Sequence, residues 1–465
     1  MLNEPVHFIG IGGAGMSAIA RILLDRGVQV SGSDARDSIV IASLRTLGAK
    51  IGIGHHADNI LLAKTVVVST AIKESNAELK AALASGIPVL SRAQSLSELM
   101  KGYRSVAVAG THGKTTTTSM LAVAIQECGV DPSFAIGGTP NDSNSNSHHG
   151  NGDIFIAEAD ESDSSFLVYN PYGAIITNVE IDHVDHFSSE EQLQKTFFDF
   201  VKSINEFLVI CVDDAGGNEL ANSVKSDKKL QINLITYGES ENAQLRISHV
   251  ATSATGSFFR ITWQGVVLDE ASLNVPGRHN VLNATAALAA GLALGLNPNQ
   301  LIRGLSKFQG VRRRFELKGK VRDIRVFDDY AHHPTEVSVT IATAREVVEE
   351  GKIIVIFQPH RYSRTLAFTE GFVSSLSVAD QVILLDIYGA GEESIPGASS
   401  SVIAEKIRAL GTKVDFEPSI VTAIELAVSA AKANDLIITM GAGDVTSLGM
   451  QILTRLAEAA SSDES

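Results

Sequence analysis

Residues 105–118 read Ser-Val-Ala-Val-Ala-Gly-Thr-His-Gly-Lys-Thr-Thr-Thr-Thr, and they restrict the fold more than any other stretch. A β-branched run (Val106, Val108) meets a turn carrying Gly110 and Gly113. Lys114 and Thr115 then open a helical pattern through Met120, Leu121, Val123, Ala124 and Ile125. Strand, glycine loop and helix N-terminus in this order aim unpaired backbone N–H groups and the positive end of a helix dipole at one point, where an anion belongs. Lys114 adds a point charge for outer phosphates, and the Thr115 hydroxyl suits a magnesium ion bridging phosphate oxygens. The common nucleotide loop has a further glycine where this chain has Val108.

A second glycine loop lies near the N-terminus. Val6-His7-Phe8-Ile9 reads as a buried strand, Gly10-Ile-Gly12-Gly13-Ala14-Gly15 follows it, and a helix continues through Met16, Ile19, Ile22 and Leu23. This is the dinucleotide fingerprint, supported by a second strand ending in Asp34 at the distance expected for a ribose or base contact. Strand-like runs at 65–68 and 87–90 make a small doubly wound α/β domain the expectation. The loop itself is compatible with a nicotinamide cofactor or with another diphosphate ligand such as a UDP-sugar.

Beyond the phosphate loop, the polar run 140–152 has no periodicity and reads as a mobile loop, with His148 and His149 in solvent. The strand 154–157 delivers Glu158, Asp160, Glu161 and Asp163 at its end, where bunched carboxylates call for a cation; Glu158, first off the strand, is the choice for magnesium. The strand 174–177 leads to Glu180, Asp182, His183, Asp185 and His186, of which His183 is the better metal ligand. Alternating runs at 245–247, 257–263 and 265–268 predict an antiparallel edge on a mixed sheet. Arg312-Arg313-Arg314 then offers an arginine for a γ-phosphate. The last third restarts strand and helix alternation, and polar residues collect at the strand ends, where open parallel sheets bind ligands. Arg361 and Arg364 are spaced to hold a carboxylate.

The chain has 465 residues, enough for about three domains at roughly 150 residues each. Lys and Arg number 38 against 53 Asp and Glu, a net charge of -15, which argues against nucleic acid and anionic membranes as partners. Two cysteines, Cys128 and Cys211, fit a reducing compartment. No leader fits before Gly10, and no apolar run reaches the roughly 18 residues of a membrane span, so a cytoplasmic protein without membrane insertion is expected.

Taken together, the motifs at 10–16, 110–116, 158–163, 177–183 (Thr-Asn-Val-Glu-Ile-Asp-His), 278–280 (Arg-His-Asn), 328–334 (Asp-Asp-Tyr-Ala-His-His-Pro) and 358–361 (Gln-Pro-His-Arg) resemble the Mur ligases of peptidoglycan synthesis over nearly the whole chain. The resemblance implies an α/β fold of three domains: a Rossmann-like UDP-sugar domain (1–104), a central P-loop ATPase domain with a mixed sheet (105–316) and a C-terminal Rossmann-like α/β domain bringing the amino acid (317–465). It implies that Gly110, Thr111, His112, Gly113, Lys114, Thr115, Thr116, His279, Asn280, Asn283 and Arg314 bind ATP, and that Thr115, Glu158 and His183 hold Mg2+. Lys114, Glu158, His183 and Arg314 are then the catalytic set. Gly10, Gly12, Gly13, Ala14, Gly15, Met16, Asp34 and Ser162 fall on the UDP-sugar side, and Tyr330, His332, His333, Arg361 and Arg364 near the amino acid.

The loop Gly-Gly-Ala-Gly-Met favours the family's first step, in which L-alanine joins the lactyl carboxylate of UDP-N-acetylmuramate through an acyl phosphate, releasing ADP and phosphate. A monomer or weak homodimer is expected. Several relatives carry a carbamylated lysine after the histidine of the Asp-His pair; here only Lys195 lies nearby, out of phase. The rival readings are a nicotinamide-dependent oxidoreductase, a nucleotide-binding module without turnover, and a sister or recycling ligase.

Overall fold

The computed structural model describes residues 2–463 apart from 142, 144, 183–185 and 188. The described residues form three open sheets, each in its own stretch of chain. In the first, β1 (Val6–Ile9), β2 (Val30–Asp34), β3 (Lys50–Ile53), β4 (Thr65–Val68) and β5 (Val89–Ser91) are all parallel, in the order β3-β2-β1-β4-β5. All of β1 is buried, as its unbroken apolar run requires of a strand covered on both faces. Strand order reverses beside β1, and the glycine loop leaves its carboxyl end at that switch point, the ligand crevice of open α/β sheets.

The second sheet comprises β6 (Arg104–Ala109), β7 (Ser133–Ala135), β8 (Ser147–His148), β9 (Ile154–Glu158), β10 (Gly173–Ile176), β11 (Phe207–Cys211), β12 (Asn233–Gly238), β13 (Leu245–Ser253), β14 (Gly256–Trp263) and β15 (Val266–Leu273). Its order is β15-β14-β13-β12-β11-β10-β6-β9-β7-β8. The β13-β14-β15 ladder is antiparallel, as the alternating runs predict. β6 lies between β10 and β9, so the phosphate loop and the acidic end of β9 emerge side by side. Helix Lys114–Glu127 packs its Met120, Leu121, Ala124 and Ile125 into the core beside the alanine-rich helix Arg278–Ala293. Each fully buried Leu or Ile contributes about 1.5–3 kcal/mol, and the small alanines let the two backbones approach.

Of the run 140–152, expected as a loop without structure of its own, the described residues 140 and 146–148 have fixed partners. Ser147–His148 pairs antiparallel with β7, Pro140 bridges to Val311, and Asn146 Nδ2 donates to the Ala14 carbonyl. His148 Nε2 meets Asp131 Oδ1 at 2.7 Å, a partner in addition to solvent. Polarity on a short edge strand gave no periodic signal, and the partners lie far away in sequence.

The third sheet holds β16 (Glu316–Val321), β17 (Ile324–Asp329), β18 (Ile353–Phe357), β19 (Gln381–Leu384), β20 (Lys413–Phe416) and β21 (Leu436–Met440), in the order β16-β17-β21-β18-β19-β20. Only the edge pair β16-β17 is antiparallel. No described helix is long and apolar enough to cross a membrane.

Candidate active site

The phosphate loop is locked by its neighbour strand. Thr177 Oγ1, just past β10, donates to the His112 carbonyl at 2.6 Å, while Asn178 accepts from His112 N at 2.8 Å and donates to the same carbonyl at 3.0 Å. Gly110 has φ +124°, and a Cβ there would stand 2.2 Å from Thr177 Oγ1; Gly113, at φ +81°, would collide with Asn283 at 2.6 Å. Both positions therefore need glycine. Lys114 Nζ donates to the carbonyls of Gly110 (2.6 Å) and Thr111 (3.1 Å) and to both Glu161 oxygens at 2.9 Å. Burial alone would lower the Lys114 pKa, but Glu161, Asp160 and Glu158 outweigh it and hold the amine above its usual value. Burial also pushes Glu161 up to about 7, against the pull of Lys114.

Thr115 and Glu158, both expected at magnesium, are neighbours: the hydroxyl donates to the carboxylate at 3.0 and 3.2 Å. Two oxygens held cis on an octahedral ion at about 2.1 Å would sit about 3.0 Å apart, so this hard-oxygen pair fits Mg2+. His183 lies outside the described residues. Its neighbour Asp182 is described, and it receives a two-pronged bond from Arg364 at 3.1 and 3.2 Å across the central and C-terminal domains. Arg361 bonds Glu392 at 2.7 Å. The two arginines spaced for a shared carboxylate thus hold different protein carboxylates, because Arg361 stands at the turn before helix Tyr362–Ala367 and Arg364 on its buried side.

A cavity of about 310 Å³ lies between the central and C-terminal domains, with His112, Gly113, Thr116, His279, Asn280, Asn283 and Arg314 in its wall. Seven of the residues expected at ATP therefore share one space. Asn280 Nδ2 donates to the Pro276 carbonyl at 2.7 Å, and burial with the nearby Arg314 lowers His279 to about 4, leaving a neutral ring. Glu336 faces this cavity too, and sequence reasoning missed it: an acid in the first turn of helix Pro334–Val348 reads as a partner for the dipole. Its carboxylate receives the His332 backbone N–H at 3.0 Å, lies 3.6 Å from Arg314, and meets His112 Nδ1 at 3.2 Å. Burial would raise Glu336, but His332, His112 and Arg314 hold it well below the usual carboxylate range.

His112 bridges Glu336 and Glu180, the latter at 3.2 Å through Nε2. Burial would lower its pKa, yet the two carboxylates raise it from 6.5 to about 9. His112, Glu180 and His333 bring ligand atoms within 4.8 Å of one another. Around His112 the two carboxylates favour the protonated ring, and the Thr335 N–H donates to His333 Nδ1 at 3.3 Å, which places the proton of that ring on Nε2. Here His333 caps a helix. His332 Nδ1 meets the Tyr330 carbonyl at 3.0 Å and is lowered to about 4 by burial, while the Tyr330 ring stacks under Arg313 and Arg314.

The first glycine loop is simpler. Gly12 N donates to Asp34 Oδ2 at 2.9 Å, tying the β2 acid to the loop. Gly10 takes φ +81° and Gly13 precedes helix Ala14–Asp25, with no side-chain cap. Met16 departs from the expected ligand contact: its side chain is 1% exposed and packs in the core, leaving only its backbone for a ligand. A second cavity, about 430 Å³, joins this loop to the rest: Gly15, Arg92, Glu158, Asp160, Ser162 and Arg361 line it, from all three sheets' domains.

Comparison with known proteins agrees with this architecture. Three family profiles match in order: "Mur ligase family, catalytic domain" over residues 5–104, "Mur ligase middle domain" over 108–291 and "Mur ligase, glutamate ligase domain" over 313–443. UDP-N-acetylmuramate–L-alanine ligase of Saccharopolyspora erythraea is 49% identical over 98% of this chain and 94% of its own, and the Mycolicibacterium smegmatis enzyme of that name is 47% identical over 97% and 95%. Among solved structures, UDP-N-acetylmuramate-alanine ligase from Thermotoga maritima superposes with a TM-score of 0.80 at 30% identity, covering 98% of this chain and 99% of that one. A murein peptide ligase from Psychrobacter arcticus gives 0.69 at 27%, covering 97% and 98%. With its three sheets, two glycine loops and matching profiles in one order, this chain belongs to the Mur ligase family.

Proposed function

We propose that the chain is an ATP-dependent ligase that joins L-alanine to the lactyl carboxylate of UDP-N-acetylmuramate, forming ADP, phosphate and the amide in peptidoglycan precursor synthesis. The observation that carries this reading is the 430 Å³ cavity, where Gly15 of the first glycine loop, Glu158 beside the phosphate loop and Arg361 of the C-terminal domain meet. The names of the relatives at 47–49% identity support the choice of substrates. In this reading residues 1–104 hold the UDP-sugar, 105–316 hold ATP and 317–465 bring L-alanine.

The ATP base and ribose occupy the 310 Å³ cavity beside His279, Asn280 and Asn283, and the phosphates run along Gly110–Thr116. Thr115 and Glu158, with His183 as a further ligand, would hold Mg2+, which would supply charge neutralisation at the phosphates. Lys114 leaves Glu161 for the phosphates. Arg314, half-buried beside Glu336 and held protonated by it, faces the charge that develops as the carboxylate attacks the γ-phosphorus. The acyl phosphate then accepts the neutral amine of L-alanine, whose carboxylate is met on the C-terminal side by Arg361, with Tyr330, His332 and His333 around it. Arg364, tied to Asp182, holds the C-terminal domain on the central one and keeps water out. One chain supplies every group, so a monomer or weak homodimer in the cytoplasm suffices.

The test is phosphate release from ATP. It is expected only when UDP-N-acetylmuramate and L-alanine are both present, and release with a tripeptide in place of L-alanine would instead favour a recycling ligase. Turnover of NADH without phosphate release would overturn the reading.

A further inference from the structure

Arg92 stands where no cation should sit without an anion. It is the first residue of helix Arg92–Met100, and its side chain folds across the opening turn of helix Ala14–Asp25: a Cβ on Gly15 would fall 2.8 Å from Arg92 Cδ and 3.3 Å from Nη1. That turn has no side-chain cap, so the positive end of its dipole lies beside the guanidinium with no protein side chain capping its N–H groups. Two positive features this close repel each other, where an anion would be attracted by both. The protein offers one partial answer: Asp160 of the central domain approaches Arg92 Nη2 at 3.5 Å, with the two side chains 23% and 40% exposed. A long, wet pair of this kind contributes little.

The rest of the 430 Å³ cavity sharpens the assignment. Its other charged walls are Glu158, Asp160, Asp163 and Arg361. A ligand with several negative charges therefore enters a mostly acidic space, and among the described residues Arg92 is the cation that lines it on the N-terminal side. Arg361 belongs to the opposite, C-terminal side and already bonds Glu392.

We propose that Arg92 is a diphosphate-binding residue for the UDP-sugar, and that Asp160 is the partner it gives up when the diphosphate binds. This rests on the proposed function. The arriving diphosphate receives the uncapped N–H groups of helix Ala14–Asp25 and the Arg92 guanidinium together, and Arg92 exchanges Asp160 for phosphate oxygens. The exchange releases Asp160 beside Glu158 and Glu161, so occupation of the first glycine loop is felt at the acidic end of β9. Gly15 is glycine because any side chain would push Arg92 off the loop.

The experiment compares UDP with uridine as ligands of the full-length protein by calorimetry, using Arg92→Gln and Arg92→Lys, with thermal melting as a folding control. Arg92→Gln is expected to weaken UDP at least tenfold while leaving uridine within twofold, and Arg92→Lys to recover part of the loss. Weakening of UDP should shrink with added salt. Asp160→Asn should leave UDP binding equal or tighter. Unchanged UDP affinity in folded Arg92→Gln, or equal loss for uridine and UDP, overturns the role. If the wild type binds neither UDP nor uridine, the UDP-sugar reading itself falls, a result distinct from failure of Arg92.

Discussion

The two glycine loops are built from the same local grammar, a buried strand, a glycine turn and a helix N-terminus, yet their surroundings differ. The loop at 10–15 touches its own domain through Asp34 and opens on a cavity, its helix uncapped. The loop at 110–116 is covered: Thr177 and Asn178 pin its backbone, Lys114 is folded back onto Glu161, and the C-terminal domain reaches His112 through Glu336. The open loop gives up at most one long, exposed pair, Arg92 with Asp160 at 3.5 Å, whereas the covered one must exchange the short, buried pair of Lys114 and Glu161 at 2.9 Å. The local sequence sets what kind of ligand fits, and the covering decides what binding is coupled to.

The strongest way to break this contrast is Lys114→Ala. It should cut phosphate release by about 10³-fold or more, as expected when a charge aimed at the transferred phosphoryl is lost, while calorimetric UDP binding at the other loop stays unchanged. Loss of UDP affinity in the folded variant would show that the loops are not separable.

Matched glycine substitutions come next. Gly110→Ala combines φ +124° with a 2.2 Å contact to Thr177, whereas a Cβ at Gly12 would meet the Asp34 carboxylate at 2.9 Å and Ile41 Cδ1 at 3.4 Å, both side-chain ends. The first should cost about 2–4 kcal/mol and the second about 1 kcal/mol or less in denaturant melts. Equal costs would mean that the covering does not tighten the central loop.

Breaking the cover itself is a third test. Asp182→Ala strands the buried Arg364 and should loosen the C-terminal domain by about 3–5 kcal/mol. The expected readout is faster amide exchange in helix Tyr362–Ala367, with the first sheet unaffected.

The smallest effects are in pH. His112 is raised to about 9 by Glu180 and Glu336, so its contribution is complete below its ordinary 6.5 and is lost as pH rises through 9. In the N-terminal domain, buried Glu78 is held at about 2: burial opposes ionisation, but bonds from His7, Ser33 and Asn59 outweigh it. Its contribution is complete above its ordinary 4.5 and is lost as pH falls through 2. Melting should therefore show the contacts of the covered loop weakening in alkali through the loss of His112, while the N-terminal domain, through Glu78, weakens only in acid. An alkaline loss confined to the N-terminal domain would refute the His112 assignment.

Much of this was legible in the residues. Buried strands such as Val6–Ile9 and Ile353–Phe357 are unbroken apolar runs, and Gly-Lys-Thr at a helix start has one common use. Thr115 and Glu158 were placed together because strands β6 and β9 end in polar residues and parallel strands present their ends on one edge. Glu336, Glu161 and Arg92 were not legible. Each sits in a helix start or an acidic run, where solvated or capping roles are the ordinary reading.

The sequence alone determined the elements, the order of the domains and the chemical type of each loop, because periodicity, glycine placement and charge act over a few residues. Only the tertiary structure decided which charges answer each other: Lys114 with Glu161, Arg364 with Asp182, His112 between Glu180 and Glu336. Coulombic and hydrogen-bond partners are fixed by distance in space, and these partners are separated by 47 to 224 residues along the chain.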